Sequence, residues 1–549
     1  MQINHIRIFF IISIICCAVF LLENWEKKIG ENDNQNLIEE NLSSVENIPS
    51  EKNSTEEKFN YLQQNTIENS IEFETIKFKN IKINCLNGSI INTALRDYNV
   101  SLINKNAMNL LNDEYLATST IELEGQTQNI LFKEYKLEKL GEETILHLFG
   151  ETEELSIEKQ FIVKNDFNIY VKQIISNKTD EEINISFNNS LIKKVNIEDL
   201  NFNILDAHAY SFQGVVSSLD KKPFLKESFK EIEKKTNKTI RDLSTNYGWT
   251  AILQNYFVNI WIPNNGNNSY IISNYKIDND LYKTNIKTKS VNLKPKENAK
   301  NYNILYSGPA ISENFENIVK VFENKGALEK PRQLEKLVDY GIFSFISIII
   351  FSLMSFLNNI FNNWGLSIIV TTILIKIIFY PLSAKSSRST AKINRIQPRI
   401  KKIQEVYKNN RKTMNIKIME LYNKEKVNPA SGCLPTLIQI PVFIALYWVI
   451  LESVQFRMAP FIFWIQDLSS KDPFFVLPIL MGISMIVQQK MNPTSLDAIQ
   501  SKIMMVIPVI FTILLSSFPA GVVLYWVTSN TFSIIQQWYI QKNQKPQKY

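Results

Sequence analysis

The chain has 549 residues, of which 21% are charged, and its formal net charge is +6. This length allows two or three domains, and so small a net charge gives no support to a nucleic-acid-binding protein, so we expect no DNA partner. The mean hydropathy of -0.11 is typical of a soluble protein. It averages two unlike parts, since residues 25–330 are polar and residues 341–540 contain long apolar runs.

The N-terminal residues predict a membrane anchor followed by a tether. An apolar run at residues 6–22 is long enough to cross a bilayer, and no small-x-small cleavage site follows it. We therefore predict an uncleaved signal anchor at residues 1–24, with its N-terminus in the cytoplasm. A lipoprotein is disfavoured, because neither Cys16 nor Cys17 follows a small residue. Residues 25–70 are rich in Glu, Asn and Ser, which predicts a flexible periplasmic tether.

Residues 71–330 contain many short stretches of alternating apolar and polar residues, separated by clusters of Asn, Gly and Asp. This pattern predicts a β-sandwich domain, followed by a helical segment at residues 313–337 that leads back to the membrane. His147 and His208 are far apart in sequence, and no nucleophile elbow or phosphate loop is present. The pattern therefore favours a docking or spacing domain over a sugar-binding one.

The cysteines and histidines give no sign of a metal centre. The remaining cysteines, Cys85 and Cys433, are isolated, and no spacing in the chain is typical of a zinc site or a disulfide framework. We expect no cofactor.

Five apolar runs in the last third of the chain read as membrane spans, at residues 364–382, 435–451, 473–487, 503–515 and 522–540. With the N-terminal anchor they make six. The block that contains them divides into a span at residues 363–383, a basic loop at residues 384–432, four spans within residues 433–541 and a basic tail at residues 542–549.

A further apolar segment lies within residues 331–362, and it is ambiguous. Its polar residues fall on one face of a helix, which predicts an amphipathic helix in the membrane interface: Ser344, Ser347, Ser352, Ser355, Asn358 and Asn359. If the segment crossed the bilayer, the thirteen Lys and Arg of the next loop would lie outside, against the positive-inside rule. An interfacial helix leaves that loop and the tail in the cytoplasm.

The basic loop at residues 384–432 predicts a cytoplasmic helical hairpin. Apolar residues recur at three- and four-residue steps in two stretches, which gives two amphipathic helices: Ile393, Ile396, Ile400, Ile403 and Val406, then Met414, Ile418 and Leu421. Two interpretations remain open. The charged faces are either simply solvated or form a platform for anionic lipid, ribosomal RNA or a nascent chain.

Lys376 is the residue of greatest interest, because apolar residues flank it on both sides within its span. A cation at mid-span costs roughly 2.5–3.5 kcal/mol on insertion scales. Lys376 lies about nine residues from Lys385, or roughly 13 Å of helix, which is more than a lysine stem can bridge fully. We therefore favour a hydrated cavity within the bundle over a lysine that reaches interfacial water. Candidate lining residues are Thr371, Thr372, Gln439, Gln488, Gln489, Tyr525 and Trp526.

Long motifs follow one another in the last third of the chain: NWGLSIIVTTILIKIIFYPLSAK, ELYNKEKVNPASGCLPTLIQIPVFIALYWVI, RMAPFIFWIQDLSSKDPFFVLPILMG, QQKMNP and FPAGVVLYWVTSN. In these motifs the chain resembles the YidC/Oxa/Alb family of membrane insertases, and GWTAILQNYFVNIWIP resembles the periplasmic domain of Gram-negative members. The resemblance implies a groove formed by five helices, open to the cytoplasm and the lipid. Family members carry an arginine in that groove, where this chain has Lys376, and use the equivalents of Tyr525 and Trp526 near the substrate path.

Together these observations predict a multi-domain protein: an α-helical polytopic membrane bundle of six transmembrane helices, five of them forming the insertase core, plus a periplasmic β-sandwich. We expect a non-enzymatic insertase and chaperone of the bacterial inner membrane, with both termini cytoplasmic and residues 25–362 periplasmic. Its expected partners are nascent membrane proteins, the Sec translocon, the ribosome and anionic lipids. The expected groove residues are Lys376, Thr372, Gln439, Gln489, Tyr525 and Trp526.

Two alternatives from other classes remain. A channel or secondary transporter usually shows internal repeats and ionisable residues on several spans, and neither is evident here. An anchored carbohydrate-binding protein would place its activity in the β-domain.

Overall fold

A computed structural model describes residues 69–128, 130–197, 212–220, 222–235, 243–246, 248–263, 269–278, 280–324, 331–425, 434–491 and 498–543. The expected signal anchor and tether, His208, Cys433 and most of the basic tail lie outside the described residues. The contacts divide the chain into two compact units. We call Tyr340–Val449 with Lys471–Tyr549 the helical unit, and Lys52–Asp339 with Ile450–Ser470 the β unit.

The β unit consists of antiparallel strands, as the alternating pattern predicts. Its described strands are β1 (Ser70–Phe73), β2 (Phe78–Asn84), β3 (Ile90–Asn99), β4 (Ala107–Leu111), β5 (Tyr115–Leu123), β6 (Gln126–Thr127), β7 (Phe132–Leu140), β8 (Glu143–Glu151), β9 (Leu155–Val163), β10 (Asn168–Asn177), β11 (Ile183–Lys194), β12 (Gln213–Ser217), β13 (Leu225–Ser228), β14 (Leu243–Thr245), β15 (Thr250–Gln254), β16 (Phe257–Pro263), β17 (Tyr270–Asp278), β18 (Leu281–Thr288), β19 (Val291–Leu293) and β20 (Asn298–Pro309).

These strands form two sheets. The first has the order β1-β2-β3-β5-β11-β18-β17-β14, with β4 on β3, β6 on β5 and β19 on β11; the second has the order β13-β12-β15-β16-β20-β10-β9-β8-β7. Buried apolar side chains of both sheets form one core. Polar contacts also join the sheets: the indole of Trp261 donates a hydrogen bond to the carbonyl of Ser190 at 3.1 Å, and the hydroxyls of Thr93 and Ser307 lie 2.8 Å apart.

Two of the described α-helices belong to the β unit, α1 (Phe229–Lys235) and α2 (Ser312–Asn324). The helix expected at residues 313–337 is wrong in its second half, because α2 ends at Asn324 and the last residues form a short 3-10 turn, Leu334–Leu337. Gly326 and Pro331 follow α2 in the sequence, and both residue types end helices.

The helical unit contains the remaining helices. They are α3 (Ser344–Phe361), α4 (Trp364–Ile378), α5 (Tyr380–Val406), α6 (Arg411–Lys424), α7 (Leu434–Glu452), α8 (Val476–Met491), α9 (Ala498–Leu515) and α10 (Ala520–Asn543). In α5 and α6, the buried side chains of Ile396, Ile400 and Tyr422 pack together, and the guanidinium of Arg399 lies 2.8 Å from the carboxylate of Glu425.

Among the described helices, Gly341–Phe361 is long and apolar enough to cross a membrane by length and composition, with a mean hydropathy of 2.0. Helix α4 and the start of α5 would give a second such span if this pair, bent by 65°, is counted as one. Three further apolar helices are shorter: Gln439–Glu452, Val476–Met491 and Met505–Leu515. The expected six spans therefore remain a proposal.

The polar face expected on α3 is wrong for Ser347. This residue is fully buried, and its hydroxyl donates a hydrogen bond to the carbonyl of Ala445 at 3.1 Å. Ile350, Met354 and Leu357 are buried on the same helix, while Phe345 is exposed. A serine whose hydroxyl finds a backbone acceptor on a neighbouring helix packs as readily as an apolar residue, and helical periodicity alone does not reveal that acceptor.

Candidate functional site

Lys376 lies in the last turn of α4, not in the middle of a continuous span as the sequence suggested. The helix ends at Ile378, and α5 starts after Phe379 at an angle of 65°. The cause is Pro381, which occupies the first turn of α5 and has no N–H to continue the hydrogen bonding of α4. The break places the lysine beside the bend between the two helices.

The ammonium group of Lys376 is held by neutral oxygens from two other helices. It donates hydrogen bonds to the side-chain oxygen of Gln439 on α7 and to the hydroxyl of Ser533 on α10, both at 2.9 Å. Within the described residues, no carboxylate forms an ion pair with it. The positive charge of Lys376 is therefore solvated by the protein but not neutralised by it.

Gln439 connects the lysine to the rest of α10. Its side-chain amide donates hydrogen bonds to the hydroxyl of Tyr525, at 3.3 Å, and to the hydroxyl of Ser529. The hydroxyl of Ser533 in turn donates to the carbonyl of Ser529 at 2.9 Å. Because Gln439 uses both ends of its amide, it fixes the orientation of the lysine against α10.

Lys376, Gln439 and Tyr525 border a pocket within the helical unit that contains about 470 Å³ of space not filled by protein atoms, part of it open to the surroundings. Its lining combines apolar side chains with a few polar groups: Thr372, Ile375, Lys376, Phe379, Leu382, Ser383, Gln439, Val442 and Tyr525. The hydroxyl of Ser383 donates to the side-chain oxygen of Gln536 at 3.1 Å. An apolar pocket with a few convergent polar groups is the usual form of a binding site.

Three of the expected groove residues line this pocket together with Lys376. Gln439 and Tyr525 belong to the hydrogen-bond network, whereas the hydroxyl of Thr372 donates to the carbonyl of Ile368 within its own helix, at 2.6 Å. Thr371 is fully buried and does not line the pocket.

Trp526 and Gln489 are not among the lining residues of this pocket, and their place in the groove stays a prediction. The ring of Trp526 packs against Phe443, with ring centroids 4.7 Å apart, and against Phe511 at 6.0 Å. Successive residues of a helix point about 100° apart, so the side chains of Tyr525 and Trp526 leave α10 in different directions, although Phe443 packs against both rings. Gln489 lies on α8, as does Gln488.

Sequence reasoning missed Ser529, Ser533 and Ser383. The signal for the first two was present, because Tyr525, Ser529 and Ser533 follow one another at four-residue steps and so lie on one face of α10. Gln536 continues that polar stripe one turn further. Serine hydroxyls in apolar helices often donate a hydrogen bond to a backbone carbonyl of the same helix. Without the lysine opposite it, the polar stripe therefore did not indicate a site.

Family models match nearly all of the described chain. Residues 356–548 match the model described as 60Kd inner membrane protein, and residues 70–353 match that described as YidC periplasmic domain. The chain is 42% identical over 559 residues to proteins named Membrane protein insertase YidC from Francisella philomiragia subsp. philomiragia and from Francisella tularensis subsp. novicida. Each alignment covers 99% of this chain and 99% of the relative.

A solved structure described as an active YidC insertase with the first transmembrane domain resolved covers 86% of this chain and 93% of its own. The identity is 16% and the TM-score 0.39. The chain belongs to the YidC family of membrane protein insertases.

Proposed function

We propose that this protein inserts integral membrane proteins into the bacterial inner membrane and assists their folding, using the pocket around Lys376 to receive a polar segment of the nascent chain. The observation that carries the proposal is a cation at the wall of a pocket formed by apolar helices, where the described residues that contact its ammonium group provide only neutral oxygens. A charge of this kind remains available to an incoming acidic group.

The proposed mechanism is physical and requires no chemical step. A polar segment of the substrate enters the pocket, where Lys376 attracts its acidic groups transiently. The helix that carries the lysine is short: α4 has 15 residues, or about 22 Å, against roughly 30 Å for the hydrocarbon core of a bilayer. A short helix and a polar pocket both reduce the apolar path that the polar segment must cross.

The apolar helix of the substrate leaves sideways into the lipid. We propose that it slides along the spans at residues 435–451 and 503–515, driven by burial of its apolar surface at about 25 cal/mol per Å². The polar segment then needs only transient contacts, so tight binding in the pocket is not required.

The proposed topology has six spans, both termini in the cytoplasm and residues 25–362 in the periplasm. Its support is the distribution of positive charge, because basic residues concentrate in the loops that remain inside. The described part of α5 and α6 exposes several of them: Lys385, Arg388, Lys392, Arg395, Arg399, Lys401, Lys402, Lys408 and Lys412.

The same exposed charges suggest partners. A row of cations on a cytoplasmic hairpin suits ribosomal RNA and anionic lipid headgroups, and we propose that α5 and α6, with the basic tail, contact the ribosome. Cooperation with the Sec translocon is proposed from the family alone.

Site-specific photocrosslinking to a nascent membrane protein on stalled ribosomes tests the pocket. A photoreactive amino acid at Val442, which lines the pocket, is expected to crosslink to the nascent chain several-fold more strongly than one at Phe345, which is 76% exposed on α3. Equal crosslinking at the two positions would show that the pocket is not a preferred path for the substrate.

A further inference from the structure

The turn between β3 and β4 exposes apolar side chains at the surface of the β unit. Ile103 is 96% exposed, and Val100 and Leu102 beside it are also exposed. The turn is nevertheless ordered by its own hydrogen bonds: the amide of Asn104 donates to the hydroxyl of Ser101 at 2.9 Å, and that of Val100 to the carbonyl of Asn106 at 3.0 Å. A hydrogen-bonded turn that presents several large apolar side chains to solvent indicates an interaction surface.

A second loop of the β unit is fastened to this turn. We call residues 453–470, which follow α7 in the sequence and belong to the β unit, the clamp loop. Its Arg457 donates hydrogen bonds to the carbonyls of Asn99 and Val100, at 2.8 and 2.7 Å, and its guanidinium lies 5.6 Å from the ring centroid of Phe257. Val454 of the same loop belongs to the core of the β unit. The clamp loop is therefore part of the domain whose turn it holds.

The tip of the clamp loop is also apolar and exposed. Phe463 is 77% exposed, and Ile462 is exposed next to it. Phe463 has a φ of 51°, a left-handed conformation that is disfavoured for a bulky side chain. The surrounding loop holds it there, because the side-chain amide of Gln466 donates to the carbonyl of Phe463 at 2.8 Å and the ring of Trp464 stacks on it at 6.1 Å.

The length of the chain limits how far this surface lies from an apolar helix. Arg457 comes five residues after Glu452, the last residue of α7. Five residues span at most about 18 Å, and the polar interface of a bilayer extends about 5–8 Å beyond the hydrocarbon on each side. Arg457 therefore lies within about 18 Å of the end of a helix that we assign to the membrane, and the apolar turn begins one arginine side chain beyond it.

We propose that the β3–β4 turn and the tip of the clamp loop insert into the outer interface of the lipid bilayer and so hold the β unit on the membrane surface. The charges fit this occupant: Lys105 is exposed two residues after Ile103, where its ammonium group would meet lipid phosphate while Ile103 enters the acyl region. The inference rests on the proposed periplasmic location of the β unit and is independent of insertion activity.

Fluorescence quenching of the full chain in lipid nanodiscs tests this contact. The native cysteines are first replaced, and an environment-sensitive fluorophore is attached to Ile103→Cys or to the matched control Leu140→Cys, an exposed apolar residue at the end of β7. We expect a lipid that carries a nitroxide near its headgroup to quench the label at position 103 roughly twofold or more, and to leave that at 140 nearly unchanged. Aqueous iodide should show the opposite preference.

Two outcomes would overturn the proposal. If iodide quenches both labels equally and the lipid nitroxide quenches neither, the turn faces water; if the label at position 103 is shielded from both quenchers, a protein surface covers it. A separate measurement isolates the topology. A membrane-impermeant thiol reagent should label Leu140→Cys in intact spheroplasts, and failure there would contradict the periplasmic location but not the lipid contact in nanodiscs.

Discussion

In the part of the chain that the structure describes, each unit has a lysine surrounded by neutral groups, Lys159 in the β unit and Lys376 in the helical unit, and the two differ in their access to solvent. Lys159 occupies an inward position of β9 and is 1% exposed. Its ammonium donates to the carbonyls of Gly88 and Ser119, at 2.6 and 2.9 Å, and lies 5.1 Å from the ring centroid of Phe161. Lys376 is only partly buried, borders a pocket and is bound by side chains. Neither lysine forms an ion pair with a described carboxylate.

The comparison shows that an unneutralised charge does not by itself indicate a functional site. The carbonyls around Lys159 are fixed by the backbone, and the site is sealed, so no ligand can replace them. Burial lowers the pKa of Lys159 to about 7, so its charged form costs the folded β unit free energy. The partners of Lys376 are the side chains of Gln439 and Ser533, which can rotate away from it. Lys376 thus differs from Lys159 in two ways: it borders a pocket, and its hydrogen-bond partners are side chains that can be exchanged.

The largest expected effect is at Lys376. Reversing the charge in Lys376→Glu should reduce insertion at least about tenfold, because the pocket would then repel acidic segments, whereas Lys376→Arg should retain most activity. The measurement is complementation of a strain depleted of its own insertase, with the membrane level of each variant as the control. Complementation by Lys376→Ala at the level of the unchanged protein would remove any role for the charge.

Variants at Gln439 distinguish the role of the positive charge of Lys376 from that of the hydrogen bonds that position it. Gln439→Leu removes the acceptor of Lys376 and the donor to Tyr525, each worth about 1 kcal/mol, and should lower insertion about three- to tenfold. Gln439→Glu keeps an acceptor but supplies a counter-charge, and it should lower insertion at least as much. Full activity of the glutamate variant would mean that a neutralised lysine is sufficient.

Lys159 should affect stability and not insertion. Its folded pKa of about 7 lies below the ordinary value of 10.5, so the unfolded chain binds more protons between these values and stability rises with pH across that range. The free energy of unfolding of the β unit should fall by about 2 kcal/mol when the pH is lowered from 9 to 7. The Lys159→Met variant should not show this decrease.

Urea unfolding of the full chain in micelles measures this difference through the fluorescence of Trp249 and Trp261, which are buried in the core of the β unit. The change of the free energy of unfolding with pH is compared between the unchanged protein and Lys159→Met, so that the titration of all other groups cancels. Identical slopes would mean that the lysine keeps its proton in the folded core. Insertion activity should agree within about twofold.

The smallest effect is expected at Trp526, which packs against Phe443 and Phe511 outside the pocket. Trp526→Phe should change insertion less than about twofold, because it conserves an aromatic contact. Tyr525→Phe, its neighbour in sequence, should cost slightly more, since it removes the acceptor of Gln439. A loss for Trp526→Phe larger than that for Gln439→Leu would place the tryptophan on the substrate path.

Much of the architecture follows from local pattern. Period-two alternation predicts the β-rich region, as in β9, where residues with buried and half-buried side chains alternate from Leu155 to Val163. Apolar runs predict the helices of the last third. A lysine inside such a run indicates a candidate functional residue, because a cation there costs free energy. These features are determined by the sequence because each depends only on neighbours within one or two turns or strands.

The composition of the pocket was decided by tertiary structure. The two hydrogen bonds of Lys376 join residues 63 and 157 positions away in the sequence, and they depend on how α4, α7 and α10 are rotated and shifted against one another. Periodicity defines a face of a helix but not which helix that face meets. For the same reason the sequence predicted Trp526 as a groove residue and did not indicate Ser533. It also did not indicate that Arg457, between two apolar helices, binds the surface of the β unit.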